Sequence, residues 1–280
     1  MCAKIDRARR NFAQITVGLR CPLCGKTLSQ KDASFRCAAG HCFDLSAKNY
    51  LNLAPSAGQP DQYGRQLFLT RRRVFKAGFY NQVLAALGKH ALAEHARLQR
   101  PLTVLDAGCG EGFFARGLLN SLPPGSAEVL ALDLSKDGLI LAAQAEPALK
   151  CLLADLAALP LNDNSTDIIL NILSPANYRE FRRILRPGGL LLKIIPGVGY
   201  LRQVRAAYKL PQAAESEALR LFRELPAEKT EATLCYTLPV NAEQAADFLL
   251  MSPLSEHRTP PKADFTEITV DLWLLTARFN

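Results

Sequence analysis

Short apolar runs alternate with amphipathic helical patterns through residues 101–280. Alternation of this kind predicts an α/β fold with a doubly wound, mostly parallel sheet. Two later β-rich stretches, 233–238 and 267–279, enclose a predicted helix at 242–251, so we expect further strands there. The five runs that have the length and composition of buried strands lie at 102–105, 129–132, 151–154, 168–173 and 190–195.

The first hundred residues lack this alternation and divide into three segments. The first is a basic leader without a recognisable period, the second is cysteine-rich and strand-prone, and the third begins as a Gly/Pro/Gln-rich linker and continues as a basic helical stretch. Together with the α/β domain at 101–280, the sequence therefore predicts four parts, with the three N-terminal ones at 1–20, 21–55 and 56–100.

Composition bounds the size and the compartment. A chain of 280 residues that is 49% hydrophobic can bury one large core and one small one. No apolar run reaches the roughly 18 residues that span a bilayer, and no apolar stretch follows the basic start, so we expect neither a membrane partner nor a secretory signal. Clustered cysteines in so long a chain indicate metal binding in the reducing cytoplasm.

Charge is distributed unevenly along the chain. Residues 1–100 contain 17 Lys and Arg against 5 Asp and Glu, a balance of +12, whereas residues 101–280 have a balance of −4. All of the excess positive charge thus precedes the predicted α/β domain. Such clustering is typical of nucleic-acid binders, although a solvated basic face explains it equally well.

A glycine-rich loop follows the first predicted strand and precedes a helix. Its glycines, Gly108, Gly110 and Gly112, have the spacing G-x-G-x-G. Glycines permit a tight turn and close approach of the backbone to a ligand, and the N-terminus of the next helix offers free N–H groups. NAD-binding folds use the same principle with the spacing G-x-G-x-x-G, so an NAD oxidoreductase is the alternative reading.

Acidic residues at three strand ends favour a different cofactor. The glycine spacing, with Asp106 just before it, resembles class I methyltransferases, whose Rossmann-like domain binds S-adenosylmethionine. The resemblance implies that Asp133, after the second strand, accepts hydrogen bonds from the ribose, and that Asp155, after the third, lies near the adenine. Alternatively, Asp106 only braces the loop and Asp155 caps a helix.

A cysteine cluster lies in segment 21–55. Cys21, Cys24, Cys37 and His41 form the pattern C-x2-C-x12-C-x3-H. Two pairs of ligands on two tight turns can complete a tetrahedron around zinc, and four protein ligands make such a site structural. A segment with few large apolar residues needs such support. Cys42 is adjacent to His41 and competes with it for the fourth position.

At this level of detail the chain resembles a specific family, the bacterial 23S rRNA guanine-N1 methyltransferases that include the tylosin-resistance methyltransferase. The resemblance covers roughly residues 20–280 and rests on motifs at 21–24, 43–44, 50–53, 72–80, 106–112 and 187–189. It implies zinc ligands at Cys21, Cys24, Cys37 and His41, which is why we favour His41 over Cys42. It also implies cofactor contacts at Tyr80, Gly112, Phe113 and Tyr200.

The resemblance also implies a substrate. The family methylates N1 of a guanine in a 23S rRNA hairpin that borders the peptide exit tunnel. A basic N-terminal third and a zinc module would then recognise the folded RNA. A homodimer is one possible form of the protein. The densest cluster of candidate RNA-binding residues is Arg71, Arg72, Arg73 and Lys76. Alternatively, this cluster is a solvated helix face, or Arg72 or Arg73 supports the cofactor site.

The reaction chemistry is only partly readable from the sequence. Guanine N1 carries a proton at neutral pH, so a base is needed, but no residue can be named for it. Asn171, near the end of the fourth strand, either lines the pocket or only ends the strand. The alternatives are a methyltransferase for another RNA or a small molecule, and a non-catalytic RNA-binding protein with the same fold.

Overall fold

The computed structural model of the chain describes residues 2–54, 64–211, 213–214, 216–252 and 258–279, so nearly all of the predicted linker at 56–64 lies outside the described residues. The helices are α1 (Cys2–Ala13), α2 (Arg65–Lys76), α3 (Asn81–Leu98), α4 (Phe113–Ser121), α5 (Lys136–Ala145), α6 (Tyr178–Ile184), α7 (Arg202–Ala207), α8 (Glu217–Arg223) and α9 (Ala242–Met251). The strands are β1 (Leu19–Arg20), β2 (Thr27–Lys31), β3 (Ser34–Cys37), β4 (Cys42–Ser46), β5 (Tyr50–Asn52), β6 (Leu102–Ala107), β7 (Ala127–Asp133), β8 (Lys150–Leu153), β9 (Thr166–Ile172), β10 (Leu185–Pro196), β11 (Glu228–Pro239) and β12 (Glu267–Phe279).

The strands join in one sheet whose order is β1-β2-β3-β4-β5-β8-β7-β6-β9-β10-β12-β11. Strands β8, β7, β6, β9 and β10 are parallel, which confirms the predicted doubly wound core. Strands β12 and β11 extend it antiparallel at one end. At the other end β5 pairs with β8 in parallel, with Leu51 opposite Leu152, so the cysteine-rich segment continues the central sheet.

Side chains alternate between the two faces of the sheet, and each face has its own apolar core. On one face, Val104 packs with residues of α3, α4, α5 and α9, including Leu118 and Phe248. On the other face, Leu105 packs with α1, α6, α8 and the first strands, including Phe181. Helices on both faces are the defining feature of a doubly wound sheet.

The basic leader is part of the fold. Residues 2–13 form α1, whose Ala8 and Phe12 are fully buried. The ring of Phe12 contacts the ring of Phe35 on β3 edge-on, with 6.1 Å between centroids. Ile5, Ala8 and Phe12 lie on one face of α1 at helical spacing, a period that the basic composition of the leader obscures in the sequence. Among the described residues, no helix is both long and apolar enough to cross a membrane.

Candidate cofactor and metal sites

The glycine loop connects β6 to α4 in a conformation that side chains disfavour. Gly108, Gly110 and Gly112 all have positive φ, at 86°, 55° and 77°. A Cβ at Gly108 would lie 2.0 Å from Oγ of Ser174, and one at Gly112 would lie 2.7 Å from Cβ of Ala142. The loop therefore needs glycine for close packing as well as for its backbone angles, and it presents the N-terminus of α4 to a ligand.

Asp133 braces this loop from the end of β7. Its carboxylate accepts hydrogen bonds from the backbone N–H of Gly110 and of Ser135, each at 2.7 Å. Burial raises the pKa of Asp133, although these two amides oppose the shift. The sequence-predicted carboxylate thus lies beside the glycine loop, where a ribose hydroxyl can reach it.

Asp106 lies beneath the same loop and is only 1% exposed. Within the described part of the chain, its Oδ2 is buried and has no hydrogen-bond partner. Burial, and then the nearby charge of Asp133, raise the pKa of Asp106 to about 7. A buried acceptor without a donor fits a cofactor that brings its own N–H or O–H group. The arrangement therefore fits S-adenosylmethionine, which carries both.

Aromatic side chains surround the loop on the side of α3. The hydroxyls of Tyr80 and Tyr200 lie 2.6 Å apart, and burial raises the pKa of Tyr200 to about 12. Phe113 stacks on Phe75, with 4.7 Å between ring centroids, and Phe75 meets Tyr80 edge-on. The structure thus brings together three predicted cofactor contacts, Tyr80, Phe113 and Tyr200, that lie far apart in sequence.

Asn171 is fully buried at the end of β9, and its polar atoms bond to the protein. Its Nδ2 donates to the carbonyl oxygens of Ala107 and Pro175, at 3.0 and 2.9 Å. Its Oδ1 accepts from Nζ of Lys193 at 2.5 Å. Sequence reasoning missed Lys193, whose signal is a lone cation in an apolar strand. Burial lowers its pKa to about 8.

Asp155 is exposed on the loop that follows β8. Its Oδ1 accepts a hydrogen bond from the backbone N–H of Ala157 at 2.8 Å, which closes a turn rather than a helix. Contact with an adenine therefore stays a prediction for this residue.

The predicted arginine cluster on α2 is divided among different partners. Arg72 donates to Glu111 of the glycine loop at 2.8 Å and to the carbonyl of Leu141 at 2.9 Å. Arg73 forms an ion pair with Asp247 on α9. These contacts favour the alternative in which Arg72 supports the cofactor loop and Arg73 joins two helices. Lys76 is exposed at the end of α2.

Glu111 explains why the cofactor loop needs Arg72. Its side chain is 1% exposed, and that of Arg72 is 19% exposed. Burial raises the pKa of Glu111, and Arg72 opposes this shift through a hydrogen bond and its charge. Without the arginine, the buried carboxylate would lose its hydrogen-bonded ion-pair partner and keep only the more distant charges of Arg116 and Lys76.

Cys21, Cys24, Cys37 and His41 converge on one point between β1 and β4. Their ligand atoms all lie within 4.8 Å of one another. The Sγ atoms of Cys24 and Cys37 are 3.6 Å apart, and Nδ1 of His41 lies 3.4 Å from Sγ of Cys21 and 3.5 Å from Sγ of Cys37. Tetrahedral zinc, with bonds of about 2.0–2.3 Å, places its ligand atoms about 3.5–3.8 Å apart. The three printed distances are close to this spacing, so the cluster fits a tetrahedral zinc site.

The competing ligand Cys42 is directed elsewhere. Its thiol is exposed, and its Sγ contacts Oδ1 of Asp44 at 3.9 Å. In the metal-binding group found among the described residues, His41 is present and Cys42 is absent. The geometry thus agrees with His41 as the fourth ligand.

The chain just before the cysteine cluster contacts the loop between β8 and β9. The backbone N–H of Arg20 donates to the carbonyl of Pro160 at 3.0 Å, and that of Asn162 donates to Gly18 at 2.9 Å. A cleft of about 410 Å³ separates the turn at Cys21 from the loops after β8 and β9. Part of its lining, Ala157 and Asn177, belongs to loops that leave the carboxyl ends of β8 and β9, which are the ends at which doubly wound folds bind their ligands.

Comparisons with known proteins define the class. Residues 19–58 match the family model of the RlmA N-terminal zinc ribbon, and residues 104–189 match a methyltransferase-domain model. The solved structure of phosphoethanolamine N-methyltransferase 2 from Haemonchus contortus is 16% identical, with a TM-score of 0.51, and the match covers 78% of this chain and 58% of that one. This likeness shows the fold. The chain is an S-adenosylmethionine-dependent methyltransferase with a zinc ribbon, so both predicted cofactors are confirmed.

Two relatives define the family. A 23S rRNA (guanine(748)-N(1))-methyltransferase of Streptomyces fradiae is 32% identical over 250 residues, which cover 86% of this chain and 87% of the relative. A Bacillus subtilis protein, provisionally named a 23S rRNA (guanine-N(1)-)-methyltransferase, is 31% identical over 273 residues, which cover 91% of this chain and 95% of the relative. The chain belongs to the 23S rRNA guanine-N1 methyltransferase family, as its motifs predict.

Proposed function

We propose that this protein transfers a methyl group from S-adenosylmethionine to N1 of a guanine in a 23S rRNA hairpin near the peptide exit tunnel. The observation that supports this most is the junction between the two sites. The zinc ribbon is joined to the catalytic sheet through β5 and is hydrogen-bonded to the loop that follows β8. A ribbon in that position can hold an RNA while one of its bases enters the cofactor site.

Each feature of the cofactor site receives a task in this proposal. Bound S-adenosylmethionine supplies an electrophilic methyl group. Asp133 accepts from the ribose, and Asp106 accepts a donor of the cofactor at its buried Oδ2. Tyr80, Phe113 and Tyr200 cover the cofactor and exclude water from it, which favours in-line attack. Asp155 lies near the adenine in this assignment, whereas Asn171 supports the site from beneath through its bonds to Ala107, Pro175 and Lys193.

The zinc ribbon has a structural task. We assign Cys21, Cys24, Cys37 and His41 as the ligands of a zinc ion that holds β1 to β4 together. The ligand set leaves no open position, so the metal orients the ribbon and takes no part in methyl transfer.

RNA contacts fall on the cations that the fold leaves exposed. Lys26, Arg36 and Lys48 of the ribbon and Lys76 of α2 are exposed, and none forms an ion pair with another described residue. Arg72 and Arg73 of α2 are instead paired with Glu111 and Asp247. We therefore propose that the ribbon and Lys76 supply most phosphate contacts.

Binding to a 23S hairpin as a function of salt tests this assignment. Replacing Arg36 or Lys76 with alanine should weaken binding and lower the salt slope by about one for each lost phosphate contact. Lys89→Ala, which removes an exposed cation of α3, is the matched control. Equal losses in all three variants would show that net charge alone drives binding, and no loss in Arg36→Ala and Lys76→Ala would refute the proposed surface.

A ribosomal substrate also points to a compartment and an oligomeric state. Ribosomal RNA is made in the cytoplasm, so we propose that the protein acts there. A homodimer would double the number of ribbons that face one RNA, and sedimentation of the purified chain, with and without the hairpin, tests for it.

A further inference from the structure

Arg71 is placed differently from its neighbours on α2. Its guanidinium lies over the ring of Phe68, 5.7 Å from the centroid, and its Nε donates to the carbonyl of Met251 at 3.1 Å. The ring of Phe68 lies 3.2 Å from the position that a Cβ of Gly110 would occupy. Arg71 is thus stacked on an aromatic ring that itself touches the glycine loop, whereas Arg73 points toward α9.

The charge of Arg71 is felt at both ends of the cofactor site. Its charge opposes the burial that raises the pKa of Asp133 at the end of β7, and likewise of Tyr80 and Tyr200. These three groups lie around the glycine loop on different elements. Arg71, held over Phe68 beside that loop, is therefore close enough to all three to act on them.

The carboxylate of the cofactor needs a positively charged partner in the site around the glycine loop. S-adenosylmethionine carries a ribose at one end and an amino-acid end with an ammonium and a carboxylate. Two acidic groups of the site, Asp106 and Asp133, have no ion-pair partner among the described residues, and they attract the ammonium and the sulfonium but repel the carboxylate. A carboxylate taken out of water needs a cation and hydrogen bonds.

We propose that Arg71 binds the α-carboxylate of S-adenosylmethionine, and that it serves the cofactor and not the RNA. A guanidinium presents parallel N–H donors that match a carboxylate, and stacking on Phe68 holds its plane in place. The inference rests on the cofactor of this protein and is independent of which RNA it modifies.

Decarboxylated S-adenosylmethionine tests the assignment, because it differs from the cofactor only in lacking that carboxylate. Calorimetry without RNA should show that the full-length protein prefers S-adenosylmethionine by about ten- to hundredfold. In Arg71→Ala this preference should vanish or reverse, since the acidic groups then favour the more positive ligand. Arg71→Lys should keep part of it. Arg65→Ala, which removes an exposed arginine of the same helix, should keep all of it.

The outcomes separate a ligand contact from a structural role. If Arg71→Ala lowers the affinity for both ligands equally, the residue only supports the fold. If neither affinity changes, the residue has no role in binding. Either result refutes the proposal. If Arg71→Ala does not fold, the wild-type protein and Arg71→Lys still decide it, because a wild-type protein without the preference refutes it as well. RNA is absent throughout, so the result does not depend on the proposed substrate.

Discussion

Asp106→Asn tests the electrostatics of the cofactor site through folding stability. The carboxyl has an ordinary value near 3.8 in the unfolded chain, whereas burial and Asp133 raise its pKa to about 7 in the folded protein. A raised carboxyl pKa means that the folded state favours the proton. The contribution of this carboxyl to stability is therefore fully present below its pKa in the unfolded chain, and it is lost as the pH rises through about 7.

The magnitude follows from the pH interval. The folded carboxyl keeps its proton, and the unfolded one does not, over about 1.5 pH units of the interval from about pH 5.5 to about pH 8. Each such unit lowers the free energy of unfolding by about 1.4 kcal/mol. The wild-type protein without cofactor should thus lose about 2 kcal/mol of unfolding free energy across this interval through Asp106 alone. Asparagine does not titrate. The free energy of unfolding of Asp106→Asn, measured relative to that of the wild type, should therefore be about 2 kcal/mol higher at about pH 8 than at about pH 5.5.

Urea unfolding at the two pH values measures this difference. Trp273, the only tryptophan of the chain, lies on β12 and reports on the methyltransferase domain. Titration of the zinc ribbon affects both proteins equally and cancels in the comparison. If the difference between the two proteins is the same at both pH values, Asp106 does not have the raised pKa. A difference of opposite sign would mean that the carboxylate is stabilised in its charged form.

Three further predictions concern the metal, the loop and its support. Purified protein should contain about one zinc per chain; Cys24→Ser should release it and Cys42→Ser should retain it, and metal analysis giving the reverse would refute the ligand set. Gly110→Val should abolish cofactor binding in calorimetry, because its φ of 55° and the nearby Phe68 oppose a side chain; unchanged affinity would exclude the loop. Arg72→Ala should destabilise the domain by about 3 kcal/mol, and Glu111→Gln should restore part of this loss; urea unfolding without any loss would refute the buried ion pair.

The sequence predicts the core of the fold because its strands are short and mostly apolar runs. Helix α9 and strand β12 begin and end where periodicity places them. The metal cluster follows from ligand spacing, with the family resemblance deciding for His41 over Cys42. Strand β5 is different, since three residues have no period and its place beside β8 depends on tertiary packing. Strand β10 also begins before the predicted turn at 187–189, because its backbone continues through a register shift.

The direction of charged side chains is what the sequence could not supply. Three consecutive arginines, Arg71 to Arg73, look like one exposed patch, but successive residues of a helix are about 100° apart and face different partners. Their partners Glu111 and Asp247 are distant in sequence. Lys193 is likewise buried against Asn171 for reasons that appear only when β9 and β10 are paired.

Primer extension on a 23S rRNA hairpin treated with the protein and S-adenosylmethionine tests the central claim most directly. N1 lies on the Watson–Crick edge of guanine, so a methyl group there blocks pairing and should arrest reverse transcriptase one nucleotide before the modified base. We predict such a stop at a single guanine with wild-type protein, and its absence when cofactor is omitted or when Gly110→Val replaces the wild type. Methyl groups found on a small molecule or a protein, with no stop in the hairpin under any condition, would contradict the proposed substrate.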